Sequence, residues 1–103
     1  MSQFDNVSVV KKGNVFFNGK CVSHSVLFPD GSRKTVGVIM PGTLTFSVST
    51  PELMEITCGT CRVKIGDEPE FKTYSEGGQF SVAANSRFVI ETKEIVNYVC
   101  SFG

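Results

Sequence analysis

The chain has 103 residues, and ten Lys plus Arg balance ten Asp plus Glu for a formal net charge of zero. That length fits one domain and leaves no room for a second, while the even balance argues against a nucleic-acid binder held by a basic patch. Hydrophobic residues make up 41% and nine of the eleven aromatics are Phe, enough for a real core, although a domain this small buries only about 60–65% of its surface and would gain from pairing with a second copy.

At the start, Met1-Ser2-Gln3-Phe4-Asp5-Asn6 lacks a basic segment followed by an apolar run, so no signal peptide is expected. No apolar stretch approaches the ~20 residues that span a bilayer. The expected protein is soluble and cytoplasmic, with no membrane partner and no nucleic-acid partner. Residues 1–14 are irregular and read as an N-terminal arm or edge strand, ahead of a domain over 15–103. From there turn signals recur at short intervals: Asn18-Gly19, Asp30-Gly31, Pro41-Gly42, Cys58-Gly59, Gly66-Asp67, Gly77-Gly78, Ala84-Asn85 and Lys93-Glu94. Runs rich in Val, Ile, Thr, Phe and Tyr lie between them, each the length of a strand.

Several runs alternate with period two, as half-buried strands do. Leu44, Phe46 and Val48 alternate with Thr45, Ser47 and Ser49, giving one face of bulk and one of hydroxyls. Val63 and Ile65 share a face, with Arg62 and Lys64 opposite. Phe80, Val82, Phe88 and Ile90 point inward, and Val96, Tyr98, Cys100 and Phe102 line one face of the last run. The single candidate helix is Pro51-Glu52-Leu53-Met54, which is very short. Eight or more strands with close turns predict an all-β sandwich or barrel.

Three groups of residues could carry chemistry. Cys58-Gly59-Thr60-Cys61 has the spacing of a redox dithiol or half a zinc site, but a redox pair normally opens a helix and here the strand Arg62–Ile65 follows. Cys21 and Cys100 could complete a four-cysteine zinc set, though neither sits in a second Cys-x-x-Cys. The plainer reading is a hairpin turn flanked by two incidental thiols, and without export all four cysteines are expected to be free. His24 is the only histidine; it could be a general base, but it excludes a metal site built on two or three imidazoles, and the plainer reading is a strand-surface residue. Arg33-Lys34-Thr35 follows the Pro29-Asp30-Gly31 turn, where guanidinium and hydroxyl together make an anion seat or simply a solvated turn. Arg62 and Arg87 carry the same two readings. No Gly-rich phosphate loop opens a helix.

From Val15 to Cys100 the order of residues resembles the pyrimidine/purine nucleoside phosphorylases, a family of small cupins. The matching stretches are Val15-Phe16-Phe17-Asn18-Gly19-Lys20 with Ser23, then Arg33-Lys34-Thr35-Val36-Gly37-Val38-Ile39-Met40-Pro41-Gly42. Thr45-Phe46-Ser47, Pro51-Glu52-Leu53-Met54-Glu55-Ile56 and Gly59 form the most distinctive block. Tyr74, Gly77, Phe80, Val82, Ser86 and Phe88 continue it, and Tyr98-Val99-Cys100 closes it. Ala83-Ala84 stands where the family usually has Pro-Gly, and the Cys58/Cys61 pair has no family counterpart. Against the broader cupin pattern, Glu52 falls at the metal-binding glutamate, while Thr45–Val48 replaces the His-x-His and Phe88 the later histidine.

The resemblance implies a single-domain cupin-type β-barrel (a jelly roll) with little or no helix. It also implies a pentosyltransferase that phosphorolyses purine and pyrimidine nucleosides to free base and pentose 1-phosphate. Inorganic phosphate would be the co-substrate, with no metal and no cofactor. The roles that follow are Arg33 with Thr35 or Ser47 for phosphate, Glu52 for the ribose hydroxyls or developing positive charge, and Phe46, Phe88 and Tyr98 for the base. Each aromatic could equally be core, and Glu52 a turn or capping acid. A homodimer is expected. The alternatives are a metal-free cupin that binds or isomerises a sugar-like ligand, and a zinc or thiol-redox module at Cys58 and Cys61.

Overall fold

Alternation of apolar and polar positions commits most of this chain to strands that each keep one face for the interior. The computed structural model describes residues 3–102; the first two positions of the expected arm and the last of the expected domain lie outside them. The strands are β1 (Ser8–Val9), β2 (Asn14–Phe16), β3 (Cys21–Leu27), β4 (Arg33–Ile39), β5 (Gly42–Val48), β6 (Glu52–Cys58), β7 (Cys61–Ile65), β8 (Lys72–Tyr74), β9 (Gln79–Val82), β10 (Ser86–Thr92) and β11 (Val96–Phe102). Among the described residues the only helical piece is a 3-10 turn at Phe17–Gly19. The helix candidate Pro51–Met54 is extended instead. Glu52, Leu53 and Met54 open β6, whose backbone pairs with β11 on one side and β9 on the other, so two ladders outweigh any local helical preference.

All pairings are antiparallel. One sheet has the order β1-β3-β4-β11-β6-β9, with β2 also on β3, and the other the order β5-β10-β7-β8. The two pack face to face as a jelly roll, without a continuous ladder around the molecule. Phe88, Ile90 and Val63 of the smaller sheet meet Ile39, Ile56, Val82 and Val96 of the larger, all at most 1% exposed. The inward faces are those the alternation predicts. The arm pairs along β3, broken between β1 and β2, with the Val10 N–H donating to the Ser25 carbonyl at 2.9 Å.

The two ends of the sandwich differ. At one, the β6–β7 and β10–β11 turns are tied together. The Thr60 N–H donates to Glu94 Oε2 at 3.0 Å, and the buried Thr92 hydroxyl lies 3.1 Å from the Thr60 carbonyl and 2.7 Å from that of Glu94. At the other end, where β4 and β6 begin and β11 finishes, the sheets part around a cavity.

Candidate active site

Strand register delivers residues distant in sequence to this open end. Arg33 begins β4 and Thr35 follows it on the inward pleat; Thr35 pairs with Cys100 on β11, and Cys100 pairs with Met54 on β6. Glu52 begins β6 opposite Phe102. From the other sheet, Phe46 on β5 pairs with Phe88 on β10. Arg33, Thr35, Phe46, Ser47, Glu52, Phe88 and Tyr98, the seven residues given roles by the family resemblance, line one cavity of about 310 Å³. That volume is at the lower end of the range for small-molecule sites.

One wall is polar. The Arg33 guanidinium sits 4.3 Å from the centre of the Phe102 ring, which seats an exposed cation at the cavity rim. Glu52 is half-buried, and the Cys100 thiol donates to its Oε1 at 3.5 Å. Burial raises the Glu52 carboxyl above its ordinary pKa, against the opposing pull of the Cys100 hydrogen bond and the Arg33 charge. Burial, followed by the neighbouring Glu52 charge, pushes the Cys100 thiol up to about 12. It therefore stays protonated at neutral pH and acts as a donor. Thr35 is buried beside the same thiol, and its hydroxyl draws the thiol pKa slightly back down.

The other wall is aromatic. Half-buried Phe46 stacks on Phe88 with ring centres 5.2 Å apart and planes 16° from parallel. Phe88 is fully buried, with Phe80 edge-on behind it at 5.4 Å. Phe46 is therefore the ring within reach of a ligand, and Phe88 backs it. The Tyr98 hydroxyl lies 3.4 Å from Cys21 Sγ, and burial pushes the phenol well above its usual pKa. Ser47 occupies the outward pleat between Phe46 and Val48 and meets the cavity at its exposed rim.

The cavity also takes in residues not assigned a role from the sequence. Cys100 is the inward neighbour of Tyr98 on β11, so the same alternation that turned Tyr98 inward pointed to it. Phe16 enters from β2, whose pairing with β3 is invisible to local pattern. Outside the cavity lie the remaining candidates. His24 faces the outer side of the larger sheet, with Nδ1 3.1 Å from the Val10 carbonyl. A register shift between β6 and β11 at Asn97/Tyr98 leaves Cys58 exposed opposite Asn97, whereas Cys61 is buried and its thiol pushed up to about 11 by that burial. The pair flanks a turn that carries the chain from the larger sheet to the smaller, not the expected hairpin, since β6 and β7 pair with other strands and not with each other; both thiols are free. Among the described residues no three His, Cys, Asp or Glu side chains come together as a metal set. Arg62 is paired with Glu91 at 3.0 Å and Arg87 lies 3.7 Å from Asp67.

Residues 11–102 match the family described as pyrimidine/purine nucleoside phosphorylase. A relative of that name from Cupriavidus necator is 61% identical, over 99% of this chain and 97% of its own. Among solved structures, a protein of unknown function from Acinetobacter sp. ADP1 superposes with a TM-score of 0.97 at 50% identity, each chain fully covered. An RmlC-like cupin from Shewanella frigidimarina superposes with a TM-score of 0.72 at 13% identity, over 99% of this chain and 93% of its own; that likeness establishes the cupin fold and nothing more. By the match along nearly all its length, the chain belongs to the pyrimidine/purine nucleoside phosphorylase family.

Proposed function

We propose that this protein phosphorolyses both purine and pyrimidine nucleosides, as a cytoplasmic pentosyltransferase that needs phosphate but no metal or other cofactor. The observation that carries this reading is the division of one cavity into a polar wall, with Arg33, Thr35 and Glu52, and an aromatic wall led by Phe46. A nucleoside and a phosphate make matching demands. Arg33 offers a forked pair of donors to phosphate oxygens, and Thr35 or Ser47 adds a hydroxyl. A phosphate oxygen then forms a bond to C1′ of the sugar while the C1′–N bond breaks. The bonding pair leaves with the base nitrogen, which takes up the proton the hydrogen phosphate gives up, giving free base and pentose 1-phosphate.

In this reading Glu52 holds the ribose hydroxyls or faces the positive charge that develops at C1′. Positioning and electrostatics supply the catalysis. A base laid against Phe46, with Tyr98 beside it, is held by its π-face rather than its edge, which admits purines and pyrimidines alike. Glu52 faces a thiol and a guanidinium rather than an imidazole or a second acid, which supports a reaction without a metal. His24 lies on the outer sheet face, so the cavity offers no imidazole base for isomerising a sugar.

The test is release of free base from uridine, adenosine, inosine and guanosine with and without inorganic phosphate. Release only with phosphate is expected, with kcat/KM lowered about 10²–10³-fold in Arg33→Ala. Release that ignores phosphate would mean a hydrolase. No release from folded protein would leave a sugar-binding cupin.

We further propose a homodimer through the outer face of the larger sheet. One row across four strands there reads His24, Val36, Val99, Glu55. A second copy related by a two-fold axis between the valines brings each His24 against the other copy's Glu55 and covers the valines.

A further inference from the structure

Two features of the cavity mouth cost the fold free energy and serve nothing in its core. Phe17, Asn18 and Gly19 follow one another with φ of +52°, +56° and +93°, a left-handed run that suits Asn and Gly but strains a bulky aromatic residue. Beside it, Phe16 and Phe17 leave 44% and 43% of their surface exposed, two large apolar side chains side by side in water. Backbone hydrogen bonds hold the turn in place, from Lys20 N–H to the Phe17 carbonyl at 3.2 Å and from Met40 N–H to the Lys20 carbonyl at 2.7 Å. The turn keeps both rings against the aromatic wall: Phe17 meets Phe46 at 5.2 Å and 85°, and Phe16 meets it at 6.4 Å and 68°. Strain and exposure kept at one place point to a role there.

Register fixes which part of the cavity these rings serve. Phe16 pairs with Cys21, and Cys21 pairs with Ile39, six residues along β4 from Arg33. The backbone of Phe16 thus enters well along β4 from the cation, on the side of the aromatic wall. We propose that Phe16, held by the strained turn and flanked by Phe17, contacts the nucleoside base, closing over the face that Phe46 leaves open, and so sets the preference between large and small bases. The inference rests on the phosphorylase reading above for the identity of the ligand. A purine offers this ring a larger π-face than a pyrimidine does, so the cap favours purines without reading any base edge.

Phe16→Ala should raise KM roughly tenfold for adenosine and guanosine and less for uridine. The KM for phosphate and kcat should stay within about twofold, because the phosphate end is untouched. Equal rises in the nucleoside and phosphate KM, or none, would overturn the cap. A second measurement needs no turnover. The chain has no Trp, so Phe16→Trp places a lone indole at the mouth, and adenine should quench it saturably while ribose and phosphate do not. Absence of quenching by adenine overturns the cap even in an active enzyme. Quenching in a protein that releases no base would keep the cap and sink the phosphorylase reading. The strain itself is checked by melting temperature: Phe17→Gly and Phe17→Ala both lose the ring, but only glycine relieves the left-handed φ, so the Gly variant should melt higher.

Discussion

Glu52 is the residue on which the most electrostatics converge. Its carboxyl is raised by burial and lowered by the Cys100 hydrogen bond and the Arg33 charge. A folded-state pKa above the unfolded one means the folded chain holds this proton more tightly, so stability is lost as pH rises through the folded value. Glu52→Gln removes that loss. The variant should melt higher than the parent at pH 8, and the gap should close below about pH 4, where the unfolded chain is protonated too. Activity needs the ionised form in the role proposed for it. Cys100→Ala deletes a donor to the carboxylate, so the acid limb of the kcat/KM profile should move to higher pH, while Cys100→Ser keeps a donor and should leave the limb near its parent position. An unmoved limb in Cys100→Ala would separate that limb from Glu52. Residue by residue, period two makes the inward direction of Phe46, Phe88 and Tyr98 legible, whereas Ser47 on the outward pleat and exposed Arg33 do not follow from it. The family resemblance added the roles. Glu52's partner was not assigned, since Cys100 meets it only through the β6–β11 register, 48 positions away.

At the scale of elements, the β6–β7 turn shows what the local pattern contains and what it leaves out. Cys58-Gly59 is a turn signal, and Gly59 has φ +91°. A Cβ added there would sit 2.7 Å from the Ile95 carbonyl oxygen, a backbone contact with no flexible end to give way. Gly59→Ala combines that clash with left-handed strain and should destabilise the protein by roughly 2–4 kcal/mol, read as a lower denaturant midpoint with an unchanged slope. Turn and strand were legible from Gly and alternation; the neighbouring β10–β11 turn that makes glycine obligatory was not. The same division explains Glu52–Met54. Three residues after a proline are too few to distinguish helix from strand locally, and the two flanking ladders decide for strand. β1, β2 and the left-handed turn at Phe17 likewise depend on β3, which lies beyond any short window.

For the molecule as a whole, the proposed dimer places the oligomeric state on the outer face of the larger sheet. The proposed dimer buries Val36 and Val99 at its axis, so Val36→Asp should leave the fold intact while halving the mass seen by light scattering at low micromolar concentration. A parent protein that is already monomeric there would refute the dimer. Composition and periodicity sufficed for an all-β sandwich of about the right number of strands. Which strands are neighbours, and that one end is tied by Thr92 while the other opens, came only from the assembled sheets.

The place of β11 has a consequence for how the protein is made. It is the last strand in chain order, yet it lies at the middle of the larger sheet, between β4 and β6. On the ribosome, β3–β4 and β6–β9 emerge as two separate hairpin-like pieces with unpaired edges facing each other, and nothing joins them until residues 96–102 clear the exit tunnel. Folding is therefore expected to wait until residues 96–102 are free of the tunnel, with those edges exposed meanwhile to other nascent chains. Stalled chains lacking β11 should be cut rapidly by protease, and chains extended past it by a tunnel-length linker should resist. The strand that completes the sheet also brings Tyr98 and Cys100, so the cavity and the fold come into existence in the same step.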